Sequence, residues 1–307
     1  MPGTLGEQSA VRVWEEGGVR LTFVVDGAMG LVPHEFFPTI PESYWAAHPE
    51  TLDEHGLVAM SAGGLLVERD GRAVLLDVGL GDYQGPIPLG KSVIGYADSG
   101  SLPDVLKSVG RTPEDIEAVA FTHLHVDHTG WAFTAGDDGR PRKYFPKARY
   151  LVADSEWAPH GRGELIPGAP PRSAVIEPLI PEHTEIADGE EIFPGVHALV
   201  TPGHSPGHTS YVIQAGDTRV IAFGDAFHIP TQISNPGWPS RPDVDGEAVL
   251  KARATLLAEL AKPGTLGFAC HFGDQPFGRV RTGESGTSTW EPVPSTVLQP
   301  TPRLLKV

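Results

Sequence analysis

Phe121-Thr122-His123-Leu124-His125-Val126-Asp127-His128-Thr129-Gly130 is the stretch from which the rest of the chain takes its meaning. Three histidines and an aspartate fall within six residues, directly behind an apolar run over 116–121 that reads as a buried strand. His123 and His125 lie two apart, so in extended backbone both side chains leave on the same side. Asp127 and His128 follow where the chain leaves the strand, and a turn there swings them toward a second centre. Neutral imidazoles and carboxylates are the donors that a borderline divalent cation such as zinc accepts. A polar loop that merely happens to be histidine-rich is the bland alternative, and the density of the cluster at a strand end weighs against it.

Upstream, residues 19–25 are rich in β-branched side chains and predict a strand, and 26–40 predict an apolar but irregular loop. A short helix is expected to start at Pro41. Residues 57–68 and 73–77 read as strands joined by a turn at Asp70-Gly71, and 102–109 as a helix closed by Gly110. Downstream, strands are expected over 149–152, 196–200, 211–214 and 219–223, the last two paired through the Gly216-Asp217 turn. Residues 246–261 give the clearest helix, stopped by Pro263-Gly264, and 265–269 the last strand, which delivers Cys270-His271. The residues after about 280 hold Pro292, Pro294, Pro300 and Pro302 and predict an irregular tail to a single domain over 1–307, with its core at about 19–280.

A coarse repeat runs through this succession. Strand 74–77 ends at Asp77, a helix follows, and the next strand ends at Thr122-His123. Strand 219–223 ends at Asp225, a helix follows, and the next strand ends at Cys270-His271. Two β-rich halves with helices outside would meet at those ends, with the site in the crease. His204, Asp225 and His271 are the further candidate ligands, each at a strand end beside a small residue (Gly203, Gly224, Cys270) that lets a metal approach the backbone.

Composition narrows the functions. The formal charge of −16 would repel a phosphate backbone, so nucleic-acid binding is not expected. One cysteine, Cys270, excludes an internal disulfide framework and a cysteine-based zinc site. No signal peptide is visible in the first ten residues, and no apolar run reaches the roughly 20 residues that span a bilayer, so the expectation is a cytoplasmic protein with no membrane partner. Oligomeric state is open, and a homodimer is compatible with the sequence.

The motifs His123-Leu-His125-Val-Asp127-His128, Gly203-His204, Gly224-Asp225 and His271, with Leu76-Asp77-Val78-Gly79 ahead of them, resemble those of the metallo-β-lactamase-fold hydrolases. The resemblance covers roughly residues 19–280. It implies an αββα fold, a four-layer α+β arrangement in which two mixed β-sheets are sandwiched between helices. It also implies two divalent metal ions. His123, His125 and His204 would hold one, Asp127, His128 and His271 the other, and Asp225 would bridge them. Zinc is the expected metal, with iron, manganese and cobalt as alternatives.

Within the family, Asp225 stands where some lactamase classes use cysteine, and about 36 residues after His271 are too few for the helical glutathione-binding domain of the glyoxalase II relatives. What remains is similar to the N-acyl homoserine lactonases and the methyl parathion hydrolase-like group. The stretch Gly224-Asp225-Ala226-Phe227-His228, with Gln232 and Trp238, looks closest to the latter, since related lactonases often carry tyrosine where His228 stands. The resemblance therefore implies a metal-dependent hydrolase of small neutral esters, a lactonase foremost, with promiscuity toward aryl esters and phosphotriesters. Asp127 and His228 are the expected catalytic groups. Phe36, Phe37, Trp131 and Trp238 are candidates for an apolar substrate wall. The rivals are a mononuclear iron persulfide dioxygenase on the same fold and a non-catalytic metal-dependent binding protein.

Overall fold

The computed structural model describes residues 2–284 and 286–305. Its largest sheet runs His183–Ile186, Arg149–Ala153, Ala118–Ala120, Arg72–Leu76, Val58–Arg69, Val19–Leu31, Val11–Glu16 and Thr296–Gln299, in spatial order. A hairpin, Tyr83–Leu89 with Ser92–Ser99, branches off the Val19–Leu31 strand. The second sheet runs Glu191–Phe193, Val196–Val200, Thr209–Ala215, Thr218–Ala222, Thr265–Phe268, Phe277–Thr282 and Ser288–Pro292. The two sheets pack face to face. Phe23 of the first meets Phe268 of the second with ring centroids 5.3 Å apart, edge to face, inside one apolar cluster that draws residues from both sheets.

Helices cover the outer faces. The Gly246–Leu260 helix is started by the Asp245 carboxylate, which accepts the backbone N–H groups of Glu247 and Ala248 at 3.0 Å each. Its Leu256 and Leu260 share an apolar cluster with Ile221 of the second sheet and with Phe223 just beyond that strand. The repeat expected from the sequence is present as two parallel crossovers. Arg72–Leu76 pairs in parallel with Ala118–Ala120, and Thr218–Ala222 with Thr265–Phe268, each pair separated by a helix. Each crossover ends its strands toward the histidine cluster.

Two expectations need correction. The loop predicted over 26–40 begins as strand: Val19–Leu31 is continuous apart from a bulge between Val25 and Gly27. Nearly every residue of it is buried, because sheet and helix cover both faces, so no polar–apolar alternation marks it. Its glycines misled the reading. A Cβ on Gly27 would stand 2.4 Å from the Ser99 Cβ, so the residue is small to admit the branching hairpin rather than to break the strand. The segment expected as an irregular tail instead supplies strands Phe277–Thr282, Ser288–Pro292 and Thr296–Gln299. The last of these returns to the first sheet and pairs with Val11–Val13. No helix among the described residues is long and apolar enough to cross a membrane.

Candidate metal centre

The Ala118–Ala120 strand ends beneath Thr122, whose backbone N–H and hydroxyl donate to the two oxygens of Asp77 at 2.7 and 2.8 Å. Asp77 itself sits in the left-handed region, φ 62°, at the end of its own strand. That conformation is costly for a side chain other than glycine, though aspartate tolerates it better than most. It is held by the bonds to Thr122 and to His128, whose Nδ1 lies 2.9 Å from the Asp77 carboxylate. A one-turn helix, Val126–Thr129, then turns Asp127 and His128 away from the side taken by His123 and His125.

The seven expected ligands converge. His123, His125, His204 and Asp225 form one group and Asp127, His128, Asp225 and His271 another, with the donor atoms of each group within 4.8 Å of one another. Asp225 belongs to both. Its Oδ2 lies 3.3 Å from His204 Nε2 and 3.8 Å from His123 Nε2. Its Oδ1 lies 3.0 Å from His271 Nε2 and 3.3 Å from His128 Nε2. All but Asp127 are buried, and the Asp127 side chain is 20% exposed at the mouth.

The outer nitrogens of four of these imidazoles are occupied, and that of His125 is the exception: its Nε2 is buried with no hydrogen-bond partner among the described residues. His123 Nδ1 meets the Thr122 hydroxyl at 3.0 Å, His204 Nδ1 meets Asp243 at 2.8 Å, and His271 Nδ1 meets the Ser61 carbonyl at 2.9 Å. Acceptors there place the proton on Nδ1 and turn a bare Nε2 inward, as metal-binding histidines require. Two of the inward atoms, His123 Nε2 and His128 Nε2, are buried with no hydrogen-bond partner among the described residues. His125 Nδ1 and His204 Nε2 face each other at 3.1 Å, an arrangement that needs a proton or a cation between them. A divalent cation fits this donor set, and a second fits the group around Asp127.

Electrostatics divide the donors: against burial, the carboxylate of Asp225 raises His128 and, together with Asp243, raises His204 to about 9, so a cation binding there displaces a proton. Burial, with the neighbouring His204 adding to it, pulls His125 down to about 3, so its ring is neutral. Burial alone would raise Asp225, but the imidazoles of His128, His271 and His228 outweigh it and hold the carboxyl well below its usual range. His208 is a brace: its Nε2 accepts the Asp225 backbone N–H at 3.0 Å, and its Nδ1 meets Thr201. The glycines beside the ligands serve packing. A Cβ on Gly203 would lie 2.2 Å from the Val249 backbone nitrogen and one on Gly224 2.6 Å from His208 Nε2, so closeness to helix and brace, not access for a metal, sets their size.

Above the centre lies a narrow cavity of about 70 Å³ whose apolar wall includes Met29, Leu31, Phe36 and Met60 and whose floor includes Asp127, Asp225, His228 and His271. It opens past Leu80, Val126 and Gly168 into a groove of about 980 Å³ between the Tyr83–Leu89 strand and the loop around residues 165–171. Of the four aromatic candidates, only Phe36 lines the narrow cavity, its ring 5.1 Å from that of His228. Phe37 packs behind it against Trp45. Trp131 donates its Nε1–H to Asp26 at 2.8 Å and stacks near Tyr144, and Trp238 packs on Tyr44. Reasoning from the sequence missed Asp243, Ser240 and Glu156. None lies in a cluster of ligand-type residues, and each reaches the site only through tertiary contacts.

The family model of the metallo-β-lactamase superfamily matches residues 64–271. The chain belongs to that superfamily, and its fold is that of the superfamily, with mixed sheets and flanking helices. It is 28% identical over 181 residues to an N-acyl homoserine lactonase of Bacillus cereus, covering 56% of this chain and 65% of that protein. To an N-acyl homoserine lactonase of Bacillus thuringiensis subsp. kurstaki it is 29% identical over 160 residues, covering 48% and 56%. The matches thus span less than two thirds of these relatives. Among solved structures it is similar to a dizinc quorum-quenching lactonase in complex with its product (TM-score 0.75, 18% identity, 94% of this chain and 99% of that one). It is also similar to a hydrolase called AbOPH (TM-score 0.71, 22% identity, 94% and 99%).

Proposed function

We propose that this chain is a dinuclear-metal hydrolase of neutral ester-like substrates, foremost a lactone carrying an apolar chain. One observation carries the reading: two ligand groups share the carboxylate of Asp225 at the floor of an apolar cavity. His123, His125 and His204 would hold one ion, Asp127, His128 and His271 the other, with zinc the expected metal. A pair of divalent ions there supplies an activated water and a Lewis acid for a carbonyl or phosphoryl oxygen. The lactonase relatives support the substrate class.

The chain's own residues do the rest. Asp225 fixes the spacing of the two groups, and its ionised form offsets their charge. Asp127, at the mouth, carries a proton to the departing alkoxide. His228 turns Nε2 toward the reacting centre and hydrogen-bonds the oxygen on which charge develops. The wall around Phe36 and Met60 excludes bulk water and favours an uncharged substrate. An aryl ester or a phosphotriester presents the same problem with a different electrophile, so weaker turnover of both is part of the proposal.

The test couples metal analysis of purified protein to a panel of lactones, aryl esters, phosphotriesters and β-lactams. Two ions per chain and lactones as the best substrates are expected. A stoichiometry fixed at one under metal-replete conditions, or oxygen uptake with a single iron, would overturn the dinuclear hydrolase. β-Lactam turnover exceeding that of every lactone would overturn the substrate class.

A further inference from the structure

His228 lies outside both ligand groups, yet it is 1% exposed, lines the cavity, and holds Nε2 3.0 Å from Asp225 Oδ2. Which of its two nitrogens carries the proton follows from a ring of hydrogen bonds that begins at an unambiguous donor. The backbone N–H of His228 donates to Gln232 Oε1 at 2.7 Å. That contact orients the amide, so Gln232 Nε2 must be the atom that faces the Trp238 carbonyl and the Ser240 hydroxyl oxygen, both at 3.0 Å. Ser240 Oγ therefore receives a proton from Gln232, and its own proton needs an acceptor. His228 Nδ1 lies 2.8 Å away, and no other acceptor is within hydrogen-bonding distance of it among the described residues. A neutral imidazole that accepts at Nδ1 carries its proton on Nε2.

The same segment governs His204. Asp243 Oδ2 accepts the Ser240 backbone N–H at 2.8 Å, while Oδ1 takes His204 Nδ1 at 2.8 Å. Arg253, 1% exposed, anchors the surrounding loop through the carbonyls of Ala226, Pro236 and Trp238 and stands 3.7 Å from Asp243 Oδ2. The geometry points to Gln232, Ser240 and Asp243 as positioning residues that impose opposite tautomers on two neighbouring imidazoles. His204 turns a bare Nε2 inward as a ligand, and His228 turns a protonated Nε2 inward as a hydrogen-bond donor. In turnover, which rests on the hydrolase reading above, His228 then steadies a negatively charged oxygen of the substrate and does not serve as a base.

The tautomers are read directly by long-range ¹H–¹⁵N spectra of protein labelled with ¹⁵N-histidine, first stripped of metal and then reloaded with zinc. The His228 signals are identified by their loss in His228→Ala. A proton on Nε2 of His228 is expected in both states. In Ser240→Ala the two tautomers should mix, with kcat lowered about tenfold and metal content unchanged, since one weakened donor costs less than its complete removal. Ser240→Thr keeps the hydroxyl and should restore both tautomer and rate. Asp243→Asn should weaken metal affinity in chelator competition by about 10- to 100-fold. A native His228 protonated on Nδ1, or a tautomer indifferent to Ser240→Ala, would overturn the assignment. The expected tautomers combined with no lactone turnover would overturn the hydrolase reading alone, because tautomer and metal affinity are measured without substrate.

Discussion

Glu156 Oε1 accepts the backbone N–H of Leu124, the residue between His123 and His125, at 2.9 Å. Its other oxygen takes the Ser205 hydroxyl at 2.7 Å and the Gly207 N–H at 2.9 Å, just past His204. One buried carboxylate thus ties together the strand ends of both sheets that carry the first ligand group. Burial is the largest influence on Glu156 and would raise it, but His160, Ser205 and the two backbone donors outweigh it and hold the carboxyl at about 2. A depressed carboxyl contributes stability that is present above its unfolded value of 4.5 and is lost as pH falls toward 2. The contribution is on the order of 3 kcal/mol at neutral pH. Glu156→Gln should therefore lower the melting temperature at pH 7, and the gap to the native protein should close between about pH 4.5 and 2. A gap that stays constant across that window would show that the charge of Glu156 is not what ties the loops.

Asp225→Ala removes the one side chain common to both ligand groups. It also leaves the imidazoles of His123, His128, His204 and His271 without the carboxylate that lies within 3.0 to 3.8 Å of each. Loss of an outer partner of a ligand typically costs 10- to 100-fold, and loss of a shared ligand should exceed that. The expected result is at most one metal ion per chain and a fall in kcat/KM of more than about 10²-fold. Retention of two ions with near-native turnover would remove Asp225 from its bridging place.

The groove beyond Val126 and Gly168 is far larger than the cavity above the centre, about 980 against 70 Å³. Gly168 adopts φ +82°, and a Cβ there would lie 3.0 Å from the His125 ring, so the passage beside the ligand stays open for want of a side chain. Its backbone carbonyl accepts the Val126 N–H at 3.0 Å, which fixes the loop against the ligand-bearing helix. A lactone with a long acyl chain would bury methylenes along Ile87 and Leu89, each contributing up to about 0.8 kcal/mol. Decanoyl lactones should then have higher kcat/KM than butanoyl ones, and Ile87→Asn should erode that preference with little effect on the short substrate. Equal loss for both lengths would place the chain elsewhere.

The grouping of these seven side chains was legible because four stand in one dense motif and the other three each follow an apolar run beside a small residue. The crossovers were legible for the same reason. What stayed hidden depends on distant partners. Met29 and Leu31 read as loop because a strand covered on both faces shows no alternation, and Gly27 and Gly30 broke its pattern. Thr296–Gln299 read as tail because its prolines flank it, and its register is set by Val11–Val13, almost the whole chain away. Asp243 and Glu156 stand in no cluster of ligand-type residues. Only the folded chain brings them to His204 and Leu124.

Removal of metal should destabilise the fold as well as silence it. The centre gathers five imidazoles and two carboxylates, all but one buried, and leaves the inward nitrogens of His123 and His128 without a hydrogen-bond partner among the described residues. A buried polar atom without a partner is costly, and an ion that satisfies several at once stabilises the native state in proportion to its binding. Ligand at 1,000 times its dissociation constant contributes about 4 kcal/mol per site. Dialysis against a chelator should therefore lower the melting temperature by several degrees and abolish hydrolysis, and zinc should restore both together. In Asp127→Ala, which loses a ligand from the second group only, chelation should cause a smaller drop than in the native protein. An apoprotein that melts where the holoprotein does would mean that the clustered side chains are satisfied without a cation, and the metal centre itself would have to be abandoned.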